Sequence, residues 1–286
     1  MAIGEIVDCG HGIASLTPHQ AEEVARFTLA RDRDLRGADR LFLTESVRVV
    51  RRYLRHRFDR WPCRSILVTF EAWSELEPLA RARPEPIRVF LARDEWMTEV
   101  SGYRLHGGAL ALGERTYWPP ATSTLVERLP PNGRATLLCA AGVVQMDNIG
   151  ALLRSAACFG TAGVLFDGDC ADPLLRKCIR FSMGRVFDVP WAVSRDLPAD
   201  LAALRSAGFR IAAIEQAATA RPLASLEPDG RVALVVGNEA RGVPAPVLAA
   251  CDECLVIPSL GPDEDGEERS LNVAVAASIA LYQRAC

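Results

Sequence analysis

Three short stretches carry residues able to do chemistry, and each interrupts an otherwise apolar pattern. In QMDNIGALLRSAACFG (145–160), Asp147 or Asn148 can cap a helix whose apolar face is Ile149, Leu152, Leu153 and Ala156. Arg154 lies off that face, either as a surface arginine or as a cation aimed at an anion. In VVGNEARGVP (235–244), Gly237 ends an apolar run, a polar pair Asn238 and Glu239 follows, and Gly242 comes five residues after the first glycine. The pattern reads either as a strand–turn–helix corner or as a loop where glycines let backbone approach a ligand. It has neither G-x-G-x-x-G nor a G-K-[ST] phosphate loop. In RSLNVAVAASIALY (269–282), Ser270 and Asn272 open a helix with Leu271, Val275, Ile279 and Tyr282 as its expected buried stripe. Those two polar side chains are either caps or ligand-facing groups.

Elements must bring these stretches together. LTPHQAEEVARFTLA opens a helix, with Thr17 as N-cap, Pro18 at the first helical position and Gln20 completing a capping box. Strands are expected at 39–46, 65–70, 87–92 and 107–115, a basic amphipathic helix at 47–58, and a second helix over AWSELEPLARAR. This alternation describes a small α/β unit over residues 1–117. YWPPATSTLVERLPPNG (117–133) carries four prolines and marks a linker at 118–134. Beyond it, 135–286 holds almost wholly apolar strands at 135–144, 162–166, 210–215, 231–237 and 253–258, with helical stretches between them. Continuous apolar strands alternating with helices imply a parallel sheet covered on both faces, which binds ligands at the carboxyl ends of its strands.

Together and in order, the three stretches resemble the SpoU (TrmH-like) RNA ribose 2′-O-methyltransferases of the SPOUT superfamily. NIGALLRSA matches the family's N-x-G-A-x-x-R-x-A, GNEARGV its G-x-E-x-x-G-[LVI], and IPS with SLNVAVA its third motif. RKCIRFSMGRVFDVP (176–190) is similar to the family's R-x-S-x-G-x-x-F-x-x-P segment. Residues 30–117 resemble, more loosely, the family's accessory domain, which is like ribosomal protein L30e. LFLTESVRVVRRYL and VSGYRLHGGALALGER carry that likeness, with Ser46 where the accessory domain has glycine.

The resemblance implies an N-terminal L30e-like α/β domain and a C-terminal SPOUT parallel-sheet domain with a deep trefoil knot. It implies an enzyme that uses S-adenosyl-L-methionine to methylate a ribose 2′-hydroxyl, of ribosomal RNA rather than tRNA because of the accessory domain. By position, Gly237, Asn238 and Gly242, with Glu239, form one wall of the cofactor pocket. Ile257 and Leu271 form another, and Ile214, Glu215 and Gln216 the third. The residues matched to catalysis are Arg154, Asn148, Glu239, Ser270 and Asn272. A guanidinium keeps its proton up to about pH 12 or beyond, which favours Arg154 as an orienting and stabilising group over a base. A homodimer is implied, because knotted domains pair to complete the site. Two departures stand out. Asp147 follows Met146 where the family has Asp-Pro, and residues 260–269 insert five acids, Asp263, Glu264, Asp265, Glu267 and Glu268, before Ser270.

Composition bounds the partners. The chain has 286 residues and a net charge of −3, which argues mildly against nucleic acid. Residues 31–64 run the other way, with eleven arginines against five acids, a local charge of +6. That stretch is a solvated face or a phosphate-contacting one, and the resemblance favours RNA contact by Arg31, Arg33, Arg51, Arg52 and Arg55. No apolar run reaches the roughly 18–20 residues of a membrane span. Nine scattered cysteines and an N-terminus unlike a signal peptide fit a reducing cytoplasm. CDEC (251–254) lacks a second cysteine pair and the four histidines form no cluster, so no metal is expected. The competing class is a non-catalytic RNA-binding or ribosome-assembly factor that keeps the fold.

Overall fold

The computed structural model describes residues 3–9, 15–28, 35, 37, 40–55, 61–101, 108–116, 121–129, 133–259 and 270–285. Arg31, Arg33 and the acidic insertion 260–269 lie outside the described residues. The chain forms two compact units. The first is Met1–Trp118 with Leu174–Phe187, and the second is Pro119–Pro173 with Asp188–Cys286.

In the first unit, strands β1 (Ile3–Asp8), β2 (Leu41–Glu45), β3 (Cys63–Thr69), β4 (Ile87–Ala92) and β5 (Ala109–Glu114) form a mixed sheet in the order β1-β4-β3-β5-β2. Strand β5 runs antiparallel to both its neighbours, β2 and β3. Helix α1 (Pro18–Thr28) starts at the expected capping box. Gln20 N donates to Thr17 Oγ1 at 3.3 Å, and Thr17 N donates to Gln20 Oε1 at 2.9 Å. Helix α2 (Val47–Arg55) buries Val49, Val50, Tyr53 and Leu54 and turns Arg48 and Arg55 outward. Helices α3 (Phe70–Arg81) and α4 (Asp94–Ser101) follow β3 and β4. One core gathers Val24, Phe27, Leu43, Leu67 and Phe90. Elsewhere in the unit the rings of Phe42, Tyr53 and Phe187 meet, with Tyr53 and Phe187 centroids 4.9 Å apart. Phe187 belongs to the returning segment 174–187, which sequence reading had assigned to the second domain.

The second unit begins with helix α5 (Thr122–Val126), inside the stretch expected to be a linker. Leu125 and Leu129 are buried in that unit's core, so this proline-rich segment packs rather than spans. Strands β6 (Ala135–Ala140), β7 (Gly163–Phe166), β8 (Trp191–Val193), β9 (Phe209–Ile214), β10 (Arg221–Pro222), β11 (Arg231–Val236) and β12 (Glu253–Val256) form one sheet. Its order is β10-β12-β9-β11-β6-β7-β8, and every pairing is parallel. The central strands β6, β7 and β11 are buried almost throughout, as continuous apolar runs require of a sheet covered on both faces. Helices α6 (Met146–Cys158), α7 (Arg176–Phe181, part of the first unit), α8 (Leu197–Ser206), α9 (Ala245–Ala249) and α10 (Val273–Ala285) complete the chain.

Helix α10 corrects one expectation. Leu271, Val275, Ile279 and Tyr282 are exposed by 47%, 47%, 36% and 59%, not buried. The buried face is Val273, Ala274, Ala277, Ala280, Leu281 and Arg284. Small side chains let the helix approach closely, and Ser155 of α6 meets Ser278 of α10 at 2.7 Å between hydroxyl oxygens. The larger apolar residues are left on the opposite side. At the far end, Arg284 donates to the carbonyls of Glu227, at 3.0 Å, and Gly230. Among the described residues no helix is long and apolar enough to cross a membrane.

Candidate active site

The carboxyl ends of β9, β11 and β12 open into a cleft of about 520 Å³, a volume ordinary for a small-molecule site. The end of β9 contributes Ile214, Glu215 and Gln216. The loop after β11 contributes Gly237, Asn238, Glu239 and Gly242. Ile257, Ser270 and Leu271 close the remaining side. Every residue matched to the cofactor pocket therefore lines one cleft. Sequence reading singled out neither Arg241 nor Ser259 nor the apolar floor of Val236, Val273 and Ala276, although all but Val236 stand within the matched motifs.

The loop after β11 is folded tightly on itself. Asn238 N donates to Gly242 O at 3.0 Å and Gly242 N returns to Asn238 O at 2.8 Å. A Cβ on Gly237 would run into the backbone of Gly242 and Val243, so only glycine permits this closure. Glu215 anchors the loop from the neighbouring strand. Its carboxylate accepts from Val243 N at 2.7 Å and from its own neighbour Gln216 N at 2.9 Å. Asn238 binds the loop in both directions. Its Oδ1 accepts from Ala240 N and Arg241 N at 2.9 and 3.2 Å, and its Nδ2 donates to Gly142 O at 2.8 Å. The loop after β11 is thereby tied to the turn that precedes α6.

That turn has further supports invisible to motif reading. Gly142 N donates to Asp167 Oδ2 at 2.8 Å, and Val143 N to Cys170 Sγ at 3.3 Å. Cys170 in turn donates to Ala140 O at 3.3 Å. Burial first, and then the charge of Asp167, push its thiol well above the ordinary range, so it stays a neutral donor. The only sequence clue was an aspartate placed just after an apolar strand.

Helix α6 begins one turn earlier than the expected caps. Its N-cap is Gln145, with no side-chain capping bond, and Asp147 sits in the first turn. Asn148 is free for another task. Its Nδ2 donates to Glu239 Oε1, and its Oδ1 accepts from Asn272 Nδ2 at 2.9 Å. Asn272 Oδ1 caps α10 by accepting from Ala274 N at 2.9 Å and Val275 N at 3.4 Å. So Asn272 is both a cap and part of a relay, Asn272–Asn148–Glu239, in which Glu239 lines the cleft and Asn148 and Asn272 stand behind its lining. Ser270 lines the cleft two residues before it. Arg154 is not brought there by its own chain. It is exposed on α6, absent from the cleft lining, and without a hydrogen bond or ion pair among the described residues.

A covered parallel sheet, a cleft at its strand ends, and three distant polar segments joined around that cleft are now in view. The model of the SpoU rRNA methylase family matches residues 135–282, which span this whole arrangement. The chain belongs to the SpoU rRNA methylase family. Among relatives of this SpoU methylase is a tRNA/rRNA methyltransferase of Mycobacterium tuberculosis described as uncharacterized. It is 33% identical over 266 residues, 88% of this chain and 86% of that protein. The 23S rRNA (guanosine-2′-O-)-methyltransferase RlmB of a Burkholderia species is 30% identical over 196 residues, 68% of this chain and 76% of its own. In fold, this SpoU methylase is similar to the AdoMet-bound rRNA methyltransferase from Sinorhizobium meliloti. The TM-score is 0.74 at 21% identity, covering 98% of this chain and 97% of the other.

Of the residues matched to RNA contact, Arg51, Arg52 and Arg55 lie on α2. Arg51 pairs with Glu75 at 2.6 Å across the surface.

Proposed function

We propose that this SpoU methylase transfers a methyl group from S-adenosyl-L-methionine to a ribose 2′-hydroxyl of ribosomal RNA. The relay Asn272–Asn148–Glu239 carries the reading, because it joins the three chemistry-bearing segments beside one ligand-sized space that Glu239 lines. The cleft suits the cofactor on its own chemistry. Its volume fits, Ile214, Val236, Ile257 and Leu271 offer apolar contact, and Gln216, Glu239, Ser259 and Ser270 offer polar groups. Bound there, S-adenosyl-L-methionine supplies an electrophilic methyl group on a sulfonium.

The chain's own residues then hold the acceptor. Asn148, Ser270 and Asn272 position the ribose, and Glu239 keeps the loop after β11 against α6. A 2′-hydroxyl must lose its proton as it attacks, and the neighbouring substrate phosphate or solvent water takes it. Arg154 orients the substrate phosphate and stabilises the developing alkoxide. Since Arg154 stands away from its own chain's cleft, it serves the site of a second copy. The proposed homodimer supplies that copy, and the exposed stripe Leu271, Val275, Ile279 and Tyr282 is its apolar face. The strand order supports the proposed trefoil knot. After β11 the chain passes β9 to form β12, then returns so that α10 packs on α6 and β11. The L30e-like reading of the first unit, RNA contact by α2, and a cytoplasmic location complete the proposal. The 2′-O-specific name of the Burkholderia relative supports the choice of ribosomal RNA and of ribose.

The test is calorimetric titration with S-adenosylmethionine, then methylation of rRNA and tRNA with digestion to nucleosides. Micromolar binding and a 2′-O-methylnucleoside in rRNA are expected. Arg154→Ala should abolish transfer and leave cofactor affinity within a few-fold. Turnover near the wild-type rate would sink the role given to Arg154. Failure of folded protein to bind the cofactor would sink the enzyme itself in favour of an RNA-binding factor.

A further inference from the structure

The segment 174–187, LLRKCIRFSMGRVF, holds four cations and no acid, in a chain of net charge −3. It packs in the first unit beside α2, which holds four more cations, Arg48, Arg51, Arg52 and Arg55, and again no acid. The contact is direct. Gly184 lies against Val49 and Arg52, and a Cβ there would sit 3.1 Å from Arg52 Cδ. Glu45 holds the segment to β2, accepting from Arg176 at 2.6 Å and from Arg180 at 3.4 Å. Glu75 takes Arg51. The two segments together carry eight cations and no acid.

An exposed aromatic ring belongs to this segment. Phe181 is 40% exposed, although it ends a helix whose Cys178 and Ile179 are buried. Two cations lie over it, Lys177 Nζ at 5.6 Å and Arg180 Cζ at 5.5 Å from the centroid. Each holds the ring by cation–π attraction. An exposed ring beside two cations is what a single strand needs, a flat face for a base with charges nearby for the phosphates.

We propose that Phe181, flanked by Lys177 and Arg180, is a base-stacking platform that receives an unpaired nucleotide of the RNA substrate, with α2 continuing the phosphate track. This inference rests on the RNA-methyltransferase reading but uses none of the cleft residues. A duplex buries its base faces and offers nothing to the ring, so the partner is single-stranded RNA, a loop or a bulge.

The experiment is fluorescence anisotropy of the full chain, without cofactor, against a fluorescein-labelled 15-nucleotide mixed-sequence RNA and its 15-base-pair duplex. Phe181→Ala should weaken single-strand binding by about five- to 100-fold. Duplex binding should change less than about two-fold, since the ring contributes nothing there. Phe181→Trp should restore affinity, and Phe181→Leu should not. Lys177→Gln should flatten the dependence of log affinity on log salt by roughly 0.7, one single-strand phosphate contact, while Phe181→Ala leaves that slope alone. Equal loss on both RNAs, rescue by leucine, or wild-type affinity in Phe181→Ala would overturn the platform, as would a wild type that does not bind the single strand. Cofactor titration of the same samples separates the two claims. Ring-dependent RNA binding without cofactor binding would remove the enzyme reading alone, and methylation without ring dependence would remove the platform alone.

Discussion

Gly237→Ala isolates the closure of the loop after β11. Gly237 is not in the left-handed region, so alanine is acceptable to its backbone and only the close approach to Gly242 and Val243 forbids a Cβ. The loop must open to admit the methyl group. Opening stretches the two hydrogen bonds between Asn238 and Gly242, each worth about 0.5–1.5 kcal/mol. It also strains the bond from Val243 N to the Glu215 carboxylate at 2.7 Å, worth about 1.5–3 kcal/mol as a bond to a charged group. Water can replace part of each in an exposed loop, so about 3 kcal/mol is a fair lower-end figure for holding the loop in its binding form. That corresponds to roughly a 100-fold loss of cofactor affinity. Calorimetric titration with S-adenosylhomocysteine measures it. Gly160→Ala is the control, at a φ of +66° with nothing within 4 Å of its Cβ. It should lower the melting temperature by a few degrees through backbone strain of about 1–2 kcal/mol and leave affinity unchanged. Glu215→Gln should fall between, because the amide oxygen still accepts one bond but the charge is gone. Wild-type affinity in folded Gly237→Ala would refute the assignment of this loop to the cofactor wall.

Two further outcomes follow from the helices and the thiols. Val275→Glu places a charge in the exposed apolar stripe of α10 and should raise the dissociation constant of the proposed dimer by at least roughly 100-fold, read by light scattering after gel filtration. An unchanged dimer would move the interface elsewhere. In alkylation with iodoacetamide at pH 8, mapped by mass spectrometry, exposed Cys158 should react first among the described cysteines. Burial, helped by Asp252, pushes Cys251 up to about 12, and burial with Asp8 does the same for Cys9. A raised pKa means thiolate appears only as pH climbs toward it, so at pH 8 roughly one molecule in ten thousand is reactive at either site. Alkylation of Cys251 as fast as Cys158 would contradict that burial.

Sequence alone determined most of the elements and the cofactor-pocket residues that line the cleft. Apolar runs such as RVALVVG can be satisfied only inside a covered sheet, and Thr17, Pro18 and Gln20 announce a helix start through bonds made within one turn. Gly237, Asn238, Glu239, Ser270 and Asn272 were legible because their spacing is local and their resemblance to one family is ordered along the chain. What sequence could not decide was which partners distant segments would choose. Periodicity marks an apolar stripe on α10, yet the small residues were buried and the stripe exposed, because close packing on the sheet and α6 favoured alanine over bulk. Asn148 was an equally good cap by type, and only the arrival of Glu239 and Asn272 from 91 and 124 residues away gave it its partners. Asp167 and Cys170 support the turn before α6 by accepting from backbone N–H groups, with an aspartate just after an apolar strand as the only clue in sequence. The segment 174–187 lies between two stretches of the second unit, and it was tertiary packing, through Glu45 and Phe187, that gave it to the first.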